Sequence, residues 1–179
     1  MGSSFNQNIG SWNVSSVNNM DSMFQQASAF NKNIGNWNIS GVWNFEGMFW
    51  GAESFNQDLG NWNPTSATSM GNMFKDATDF DQDLGDWNVS GVNAMANMFS
   101  GATALSPTNK GEIHKTFSSN SNWPYDWSEF VVYEPITDAN FQDAVNLWFS
   151  DEANATYIYG HIRDWNVSLV TDMSEAFKD

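Results

Sequence analysis

A 25-residue period constrains this chain more than any other feature of its sequence. A Phe and a Trp recur at fixed positions in four successive copies: Phe5, Phe30, Phe55 and Phe80, with Trp12, Trp37, Trp62 and Trp87. A Met-Phe pair closes each copy, at Phe24, Phe49, Phe74 and Phe99. Self-similarity at such a period is typical of repeat architectures, in which each copy buries its apolar face against the next.

The first repeat, residues 5–29, combines two apolar patterns. Residues 12–14 alternate apolar and polar side chains, the period of a strand with one buried face. Apolar residues then fall on one stripe of a helix, at Val17, Met20, Met23, Phe24 and Ala27. Stacked copies would pair their strands in parallel, with the usual right-handed crossover. The sequence therefore predicts a right-handed α/β repeat solenoid of short parallel strands and helices, interrupted by a capping region.

Two polar columns accompany the repeat, and both are predicted to form ladders of side-chain hydrogen bonds between copies. One column holds Asn13, Asn38, Asn63 and Asn88; the other holds Asn8, Asn33, Asp58 and Asp83. The second column also allows a metal interpretation, since stacked carboxylates and amide oxygens are hard ligands. Asp58, Asp81 and Asp83 are thus calcium candidates, although a hydrogen-bond ladder explains the same column equally well.

The period breaks after the fourth copy. Residues 1–4 are interpreted as an expression leader and residues 5–104 as the four repeats. Residues 105–136 carry a turn-rich stretch and the bulky run from Trp123 to Trp127, which suits a C-terminal cap over exposed apolar surface. Residues 137–179 are predicted to contain a capping helix and the first partial repeat of a second array, starting again near Trp165.

The repeated pattern Trp-Asn-Val-Ser, followed by Val, Met, Met-Phe, Ala and Phe-Asn-Gln at fixed spacing, resembles the BspA-like surface-protein family. Its 25-residue repeats are abundant in mycoplasma surface lipoproteins. The resemblance covers residues 5–104 and 164–177. It implies a leucine-rich-repeat-like module involved in adhesion or recognition at an extracellular or cell-surface location, and it supplies no catalytic residues.

Composition excludes several classes of function. The chain carries 21 acidic and 6 basic side chains, a net charge of −15 that repels phosphate backbones and anionic lipid. It has no run of apolar residues long enough to span a membrane, and no cysteine. No nucleophile elbow, zinc-binding His pair or phosphate-binding loop appears. We therefore expect neither an enzyme nor a resident cofactor, neither nucleic-acid binding nor membrane insertion.

Function is expected where the repeat is broken. Trp43 and Trp50 are extra aromatics of the second repeat, and Asn122 and Trp123 lie in the interruption. These four are the binding candidates. The leading prediction is a non-catalytic protein-interaction or adhesion module. The alternatives are a glycan-binding module that uses the exposed Trp and Asn side chains, and a structural spacer in a tandem surface array. Head-to-tail self-association through the ends of the repeat array is a further prediction.

Overall fold

The structure is a computed structural model that describes residues 3–174 and 176–177. The chain forms two compact units, Met1–Val131 and Val132–Asp179, here called the N-terminal and C-terminal units. Three α-helices are present in the described residues: α1 (Pro107–Phe117), α2 (Phe141–Ser150) and α3 (Glu152–Tyr159). Short 3₁₀-helices span Ser128–Phe130 and Ile162–Asp164. No helix in the described part of the chain combines the length and apolar character needed to cross a bilayer.

The predicted fold class is wrong. Residues 3–106, all of which are described, contain neither a helix nor a strand, so a leucine-rich-repeat-like α/β solenoid is not what the repeats form. Their only ladder contacts are isolated parallel bridges of one residue per repeat, which join Asn19 to Asn44, Asn44 to Ser69 and Ser69 to Ala94. The repeats are instead successions of tight turns, stacked on one another.

Two sets of backbone hydrogen bonds alternate along the segment that had been predicted as helix. Odd-numbered residues of the first repeat close turns within that repeat: the Met23 N–H donates to the Met20 carbonyl at 3.3 Å, and the Gln25 N–H to the Ser22 carbonyl at 3.0 Å. Even-numbered residues donate to the second repeat, with N···O distances of 2.9, 2.9, 2.8 and 2.7 Å for Met20, Ser22, Phe24 and Gln26. The same alternation recurs between the later repeats. Each repeat is thereby bonded to the next by every second residue of this segment, from Met20 to Gln26 in the first repeat.

Positive φ angles explain why this segment is not a helix. They recur in two columns spaced by the repeat, at Ser22, Gly47, Asn72 and Asn97 and at Gln26, Gly51, Asp76 and Gly101. A residue in the left-handed region every fourth position breaks the uniform dihedral angles that an α-helix requires. Gly, Asn and Asp tolerate this region best, and they fill six of these eight positions.

The core of the stack consists of aligned aromatic columns. The rings of Phe24 and Phe49 stack with centroids 5.6 Å apart, and Phe74 lies a further 5.4 Å along the same column. The Trp62 and Trp87 rings stack at 6.2 Å, and the Trp87 indole N–H donates to the Leu59 carbonyl at 3.0 Å. Offset stacking adds about 0.5–1.5 kcal/mol per pair to the gain from burial. The buried side chains thus satisfy both apolar packing and hydrogen bonding between repeats.

The aromatic residues after α1 close the far end of the stack. The Phe99 N–H, which in earlier repeats would reach the next repeat, donates to the Tyr125 hydroxyl at 2.9 Å. The Trp127 ring lies 5.6 Å from the Phe99 ring. The Asn120 amide donates to the carbonyls of Val89 and Val92 at 2.8 and 2.9 Å. This segment therefore supplies both the apolar cover and the hydrogen-bond partners that a fifth repeat would supply.

The C-terminal unit packs one partial repeat against helices. Its buried core contains Ile136, Phe141, Ala144, Val145 and Ala176. An isolated parallel bridge joins Thr137 to Leu169. The Asp138 carboxylate accepts the Thr171 N–H and hydroxyl, each at 2.6 Å, and these bonds hold the pKa of Asp138 below its usual value. The repeat pattern is thus fixed to the residues that precede α2.

Candidate binding surface

Trp43 is the most accessible of the three Trp residues among the four candidates, since Trp50 and Trp123 are half-buried. Its side chain is 45% exposed, while its backbone is bonded on both sides: its N–H donates to the Asn18 carbonyl at 3.0 Å and its carbonyl accepts the Thr68 N–H at 2.9 Å. The Asn93 N–H continues the row by donating to the Thr68 carbonyl at 2.8 Å. Asn18, Thr68 and Asn93 are also exposed, so the four residues form one solvent-facing row, here called the Trp43 ridge.

Trp50 has structural partners instead of a free ring. The Lys75 ammonium lies 4.5 Å from the centre of its ring, a cation–π contact, and its indole N–H donates to the Asp76 carboxylate at 3.2 Å. Lys75 occupies the position of Trp50 one repeat later in the sequence. Both partners, Lys75 and Asp76, belong to the third repeat, so these contacts link Trp50 of the second repeat to the third. The Trp50 side chain is half-buried.

Trp123 belongs to the aromatic cluster that covers the fourth repeat. Its ring lies 5.1 Å from Phe117 and 5.2 Å from Trp127, and its indole N–H donates to Nδ1 of His114 at 3.2 Å. Burial lowers the pKa of His114, and the opposing charge of Asp126 reduces that shift. Trp123 therefore offers no flat, free face of the kind that a sugar platform requires.

Asn122 lies beside this cluster but is exposed. Its N–H donates to the Asn120 side chain at 2.8 Å, and its amide donates weakly to the Val92 carbonyl at 3.4 Å. Trp43 contacts the first and third repeats, whereas Asn122 and Trp123 contact the fourth repeat and α1. The candidates thus occupy separate parts of the N-terminal unit.

The calcium candidates do not converge. Asp58 and Asp83 each accept the N–H of the Gly two residues later, both at 2.8 Å, in a local turn. Asp81 belongs to a different column. The described residues contain no group of three or more carboxylate or histidine side chains placed to hold a metal ion.

The side-chain ladder between repeats runs through a column that the sequence analysis did not select. The Asn31 N–H donates to the Asn6 side-chain oxygen at 3.1 Å, Asn56 repeats this with Asn31 at 3.1 Å, and Asp81 with Asn56 at 3.0 Å. The two columns predicted as ladders make turns within their own repeats: the Ser15 N–H donates to Asn13 at 3.1 Å. The side-chain oxygen atoms of these two columns accept N–H groups of their own repeat, so they do not link neighbouring repeats.

Asp81 ends this ladder at the start of α1. Its carboxylate accepts the Ser106 N–H at 2.9 Å and the Asn109 amide at 2.6 Å. Burial alone would raise the pKa of Asp81, but these bonds and the nearby Lys110 ammonium hold it below its usual value of 3.8. A negative charge at the first turn of a helix also complements the helix dipole. The Asp that replaces Asn in this one copy therefore stabilises the start of α1.

Several apolar side chains of the first repeat are exposed on the side that points away from the second repeat, which we call the leading face. Phe5, Trp12 and Met23 are exposed there. Together with Ile9, Phe24 and Ala27 they line a shallow groove of about 330 Å³. Trp12 is 53% exposed although its counterparts Trp37, Trp62 and Trp87 are buried.

Comparison with known protein families identifies the family to which the sequence is similar. The sequence profile of a family described as "Mycoplasma protein of unknown function, DUF285" matches residues 1–132 and 136–179. Neither a curated protein nor a solved structure matches the chain significantly.

Proposed function

The chain belongs to the DUF285 family of Mycoplasma proteins of unknown function, and from that premise we propose that it is a non-catalytic protein-interaction and adhesion module at the cell surface. The resemblance of its repeats to those of BspA-like surface proteins supports both the role and the location. The acidic surface, with a net charge of −15, suits a protein or glycan partner better than nucleic acid or anionic lipid.

The Trp43 ridge is the observation that carries this proposal. Trp is one of the residues enriched at the energetic centre of protein interfaces, and its large rigid ring loses little conformational entropy on binding. The Trp43 backbone is bonded to the repeats on either side, so the ring is presented from a fixed position. The other three residues in the row, Asn18, Thr68 and Asn93, add polar side chains to the surface around it.

Glycan binding is a second candidate, supported by the same row. A sugar packs its apolar face on an aromatic ring while neighbouring amides and hydroxyls bond its hydroxyl groups. Asn18 and Thr68, on either side of Trp43, are of those types. Asn122 and Trp123 lie apart from Trp43, against the fourth repeat and α1, and the Trp123 ring is packed in an aromatic cluster, so neither residue supports this candidate.

The test uses the whole chain, biotinylated and displayed on streptavidin, applied to cultured cells. One set of cells is untreated, a second is treated with trypsin and a third with glycosidases. Variant Trp43→Ala removes the ring, and Phe149→Ala removes an even more exposed aromatic of the C-terminal unit as a control. We expect Trp43→Ala to weaken cell binding at least about tenfold, as for a hot-spot residue, and Phe149→Ala to leave it unchanged.

The treatments separate the candidates. Loss of binding after trypsin, with glycosidases without effect, supports protein recognition. Loss after glycosidases, together with binding to an array of free glycans, supports the second candidate. Equal binding by wild type and Trp43→Ala would contradict both. Absence of binding in every arm would leave the structural spacer as the better interpretation.

A further inference from the structure

The stacked repeats bind one another through a short backbone edge. In the second repeat, the Trp43 carbonyl accepts the Thr68 N–H at 2.9 Å. The N–H groups of Phe45 and Gly47 each donate to a carbonyl of the third repeat, also at 2.9 Å. Residues 68–71 of the third repeat supply all three partners and run parallel to the second repeat. The other two interfaces between repeats follow the same pattern.

The fourth repeat has the same edge without a partner, and we call its residues 93–97 the open edge. Its three groups are the Asn93 carbonyl and the N–H groups of Met95 and Asn97. None of these groups is hydrogen-bonded to a residue that the structure describes. Four residues of the open edge are exposed: Asn93, Ala94, Ala96 and Asn97. Unpaired backbone groups of this kind are rare in protein interiors, and on a surface they are a ready template for another chain.

The cap limits what the open edge can accept. The next N–H group in the series, that of Phe99, donates to the Tyr125 hydroxyl at 2.9 Å, so the open edge ends at Asn97. The Met95 side chain is only 1% exposed, and the aromatic residues of the cap pack on the same core. An occupant of the open edge therefore has room for its backbone, but not for a large side chain directed towards Met95.

We propose that the open edge binds a four-residue extended segment of a partner protein in parallel, as residues 68–71 bind the second repeat. The first residue of the segment donates its N–H to the Asn93 carbonyl. The carbonyls of its second and fourth residues accept the N–H groups of Met95 and Asn97. Its third side chain faces the cap and is small: Gly, Ala or Ser. This inference is independent of the function proposed for the Trp43 ridge, because it rests on backbone groups and not on the Trp43 ring.

The carbonyls of the open edge favour a different protein over a second copy of this chain. The Ala94 and Ala96 carbonyls accept N–H groups of the third repeat. The Met95 and Asn97 carbonyls accept N–H groups three residues later, in local turns. Only the Asn93 carbonyl remains, so two facing copies of the edge could bond only one N–H group of each copy. Each copy also has a net charge of −15, and the resulting repulsion disfavours such a pair.

Amide hydrogen exchange in the isotopically labelled full chain tests whether the edge is open. The N–H groups of Met70 and Asn72 have the same positions in the third repeat and donate to the fourth repeat at 2.8 and 2.9 Å. We expect Met95 and Asn97 to exchange at least about a hundredfold faster than Met70 and Asn72. Equal protection of the two pairs would overturn the proposal, because the edge would then already have a partner.

The peptide Ser-Ala-Thr-Ser-Ala-Gly-Asn, titrated into the labelled full chain, tests binding. It is residues 66–72 of this chain with the change Met70→Ala, so it carries the segment that covers the second repeat with a small third residue. We expect it to shift the amide signals of Met95 and Asn97 with a Kd of about 1 mM, since three hydrogen bonds supply most of the affinity. The matched control is the same peptide methylated on the Thr68 nitrogen. It lacks the N–H that Asn93 accepts and should bind at least about tenfold more weakly.

The same titrations give the results that would contradict the proposal. Unchanged signals of Met95 and Asn97 at about 10 mM peptide would overturn it, as would equal binding by the methylated control. The peptide that retains Met70 should bind at least about tenfold more weakly than the Ala peptide, and equal binding would refute the restriction on the third side chain. Signals of Met95 and Asn97 that move with protein concentration alone would show a second copy on the edge, and the assignment to a different protein would then be wrong.

Discussion

The same repeat pattern occurs in two surroundings in this molecule, and its core residues have opposite exposures. Within the N-terminal unit, Phe49 and Phe74 lie between two other repeats and are fully buried. Phe177, at the same position of the pattern in the C-terminal unit, is 64% exposed. The pattern thus specifies a series of turns with one set of side chains on each face. Burial of those side chains depends on a repeat, or a substitute for one, on the far side.

The glycine column shows the same dependence. Gly10 and Gly35 lie where the backbone of the next repeat approaches most closely. Arg163, at the corresponding position of the C-terminal unit, has an exposed side chain. At Gly10 and Gly35 the column therefore leaves room for the backbone of the next repeat, whereas Arg163 extends into solvent.

Truncation of equivalent Phe residues tests this comparison with the largest expected effect. Phe49→Ala should lower the free energy of unfolding by about 3–5 kcal/mol, because it opens a cavity in a closely packed column. Phe177→Ala removes the same ring from an exposed position and should change it by less than about 0.5 kcal/mol. Urea unfolding followed by circular dichroism measures both. Similar losses from the two variants would show that the comparison is wrong.

Close approach of the repeats gives the next largest effect. Gly35→Ala places a Cβ atom 2.6 Å from the Asp58 carbonyl oxygen, and the stack must open locally to accept it. We expect a loss of about 1–3 kcal/mol, as for other overpacked sites. The matched control is Gly41→Ala in the same repeat, where the nearest described atom lies at 3.8 Å. Equal thermal unfolding midpoints for the two variants would contradict the predicted spacing of the stack.

The charge on Asp81 should affect the free energy of unfolding less than the change at Gly35 does. Asp81→Asn keeps an oxygen acceptor of the kind used by Asn56 but removes the negative charge at the start of α1, which should cost about 0.3–1 kcal/mol at neutral pH. Asp83→Asn is the control, since Asn8 and Asn33 already make the same local turn. The folded pKa of Asp81 lies below 3.8, so its contribution is complete above that pH and disappears as the pH falls through the folded value. A wild-type advantage that persists in strong acid would refute this assignment.

The smallest effect concerns the cap. Burial holds the pKa of His114 below its usual 6.5, so the unfolded chain binds a proton first as the pH falls. Stability from this group is therefore complete above pH 6.5 and decreases below it, as protonation competes with the Trp123 hydrogen bond. His114→Gln retains an acceptor that does not titrate. We expect its unfolding midpoint to vary less between pH 7 and pH 5 than that of the wild type; parallel curves would exclude His114 as the cause.

The sequence predicted part of this fold correctly and part of it incorrectly. The columns of Phe, Trp and Met residues identified the core positions of the stack. The spacing of Met20, Met23, Phe24 and Ala27 fits one face of a helix, and that pattern misled the prediction of helices. The contrary signal was present: Gly47, Gly51, Asn72 and Gly101 would lie inside those helices, yet they favour positive φ.

The binding surface was less accessible from sequence. The sequence selected Trp43 as a binding candidate without deciding whether its ring is exposed, which the structure shows it to be. The contact of Trp50 with Lys75 could have been inferred, since the two residues are one period apart. Which column of Asn side chains forms the hydrogen-bond ladder between repeats could not have been inferred. The columns of Asn6, Asn8 and Asn13 have the same composition, and the direction of each side chain depends on backbone turns that periodicity does not specify.

Hydrogen-bond scalar couplings in the isotopically labelled protein test the stacked-turn architecture most directly. The structure predicts a coupling between the amide nitrogen of Phe49 and the carbonyl carbon of Met73, whose oxygen lies 2.8 Å away in the next repeat. A helix would instead join Phe49 to Phe45, four residues earlier. Observation of the Met73 coupling would support stacked turns as the structure of the repeats, and a coupling to Phe45 would contradict it.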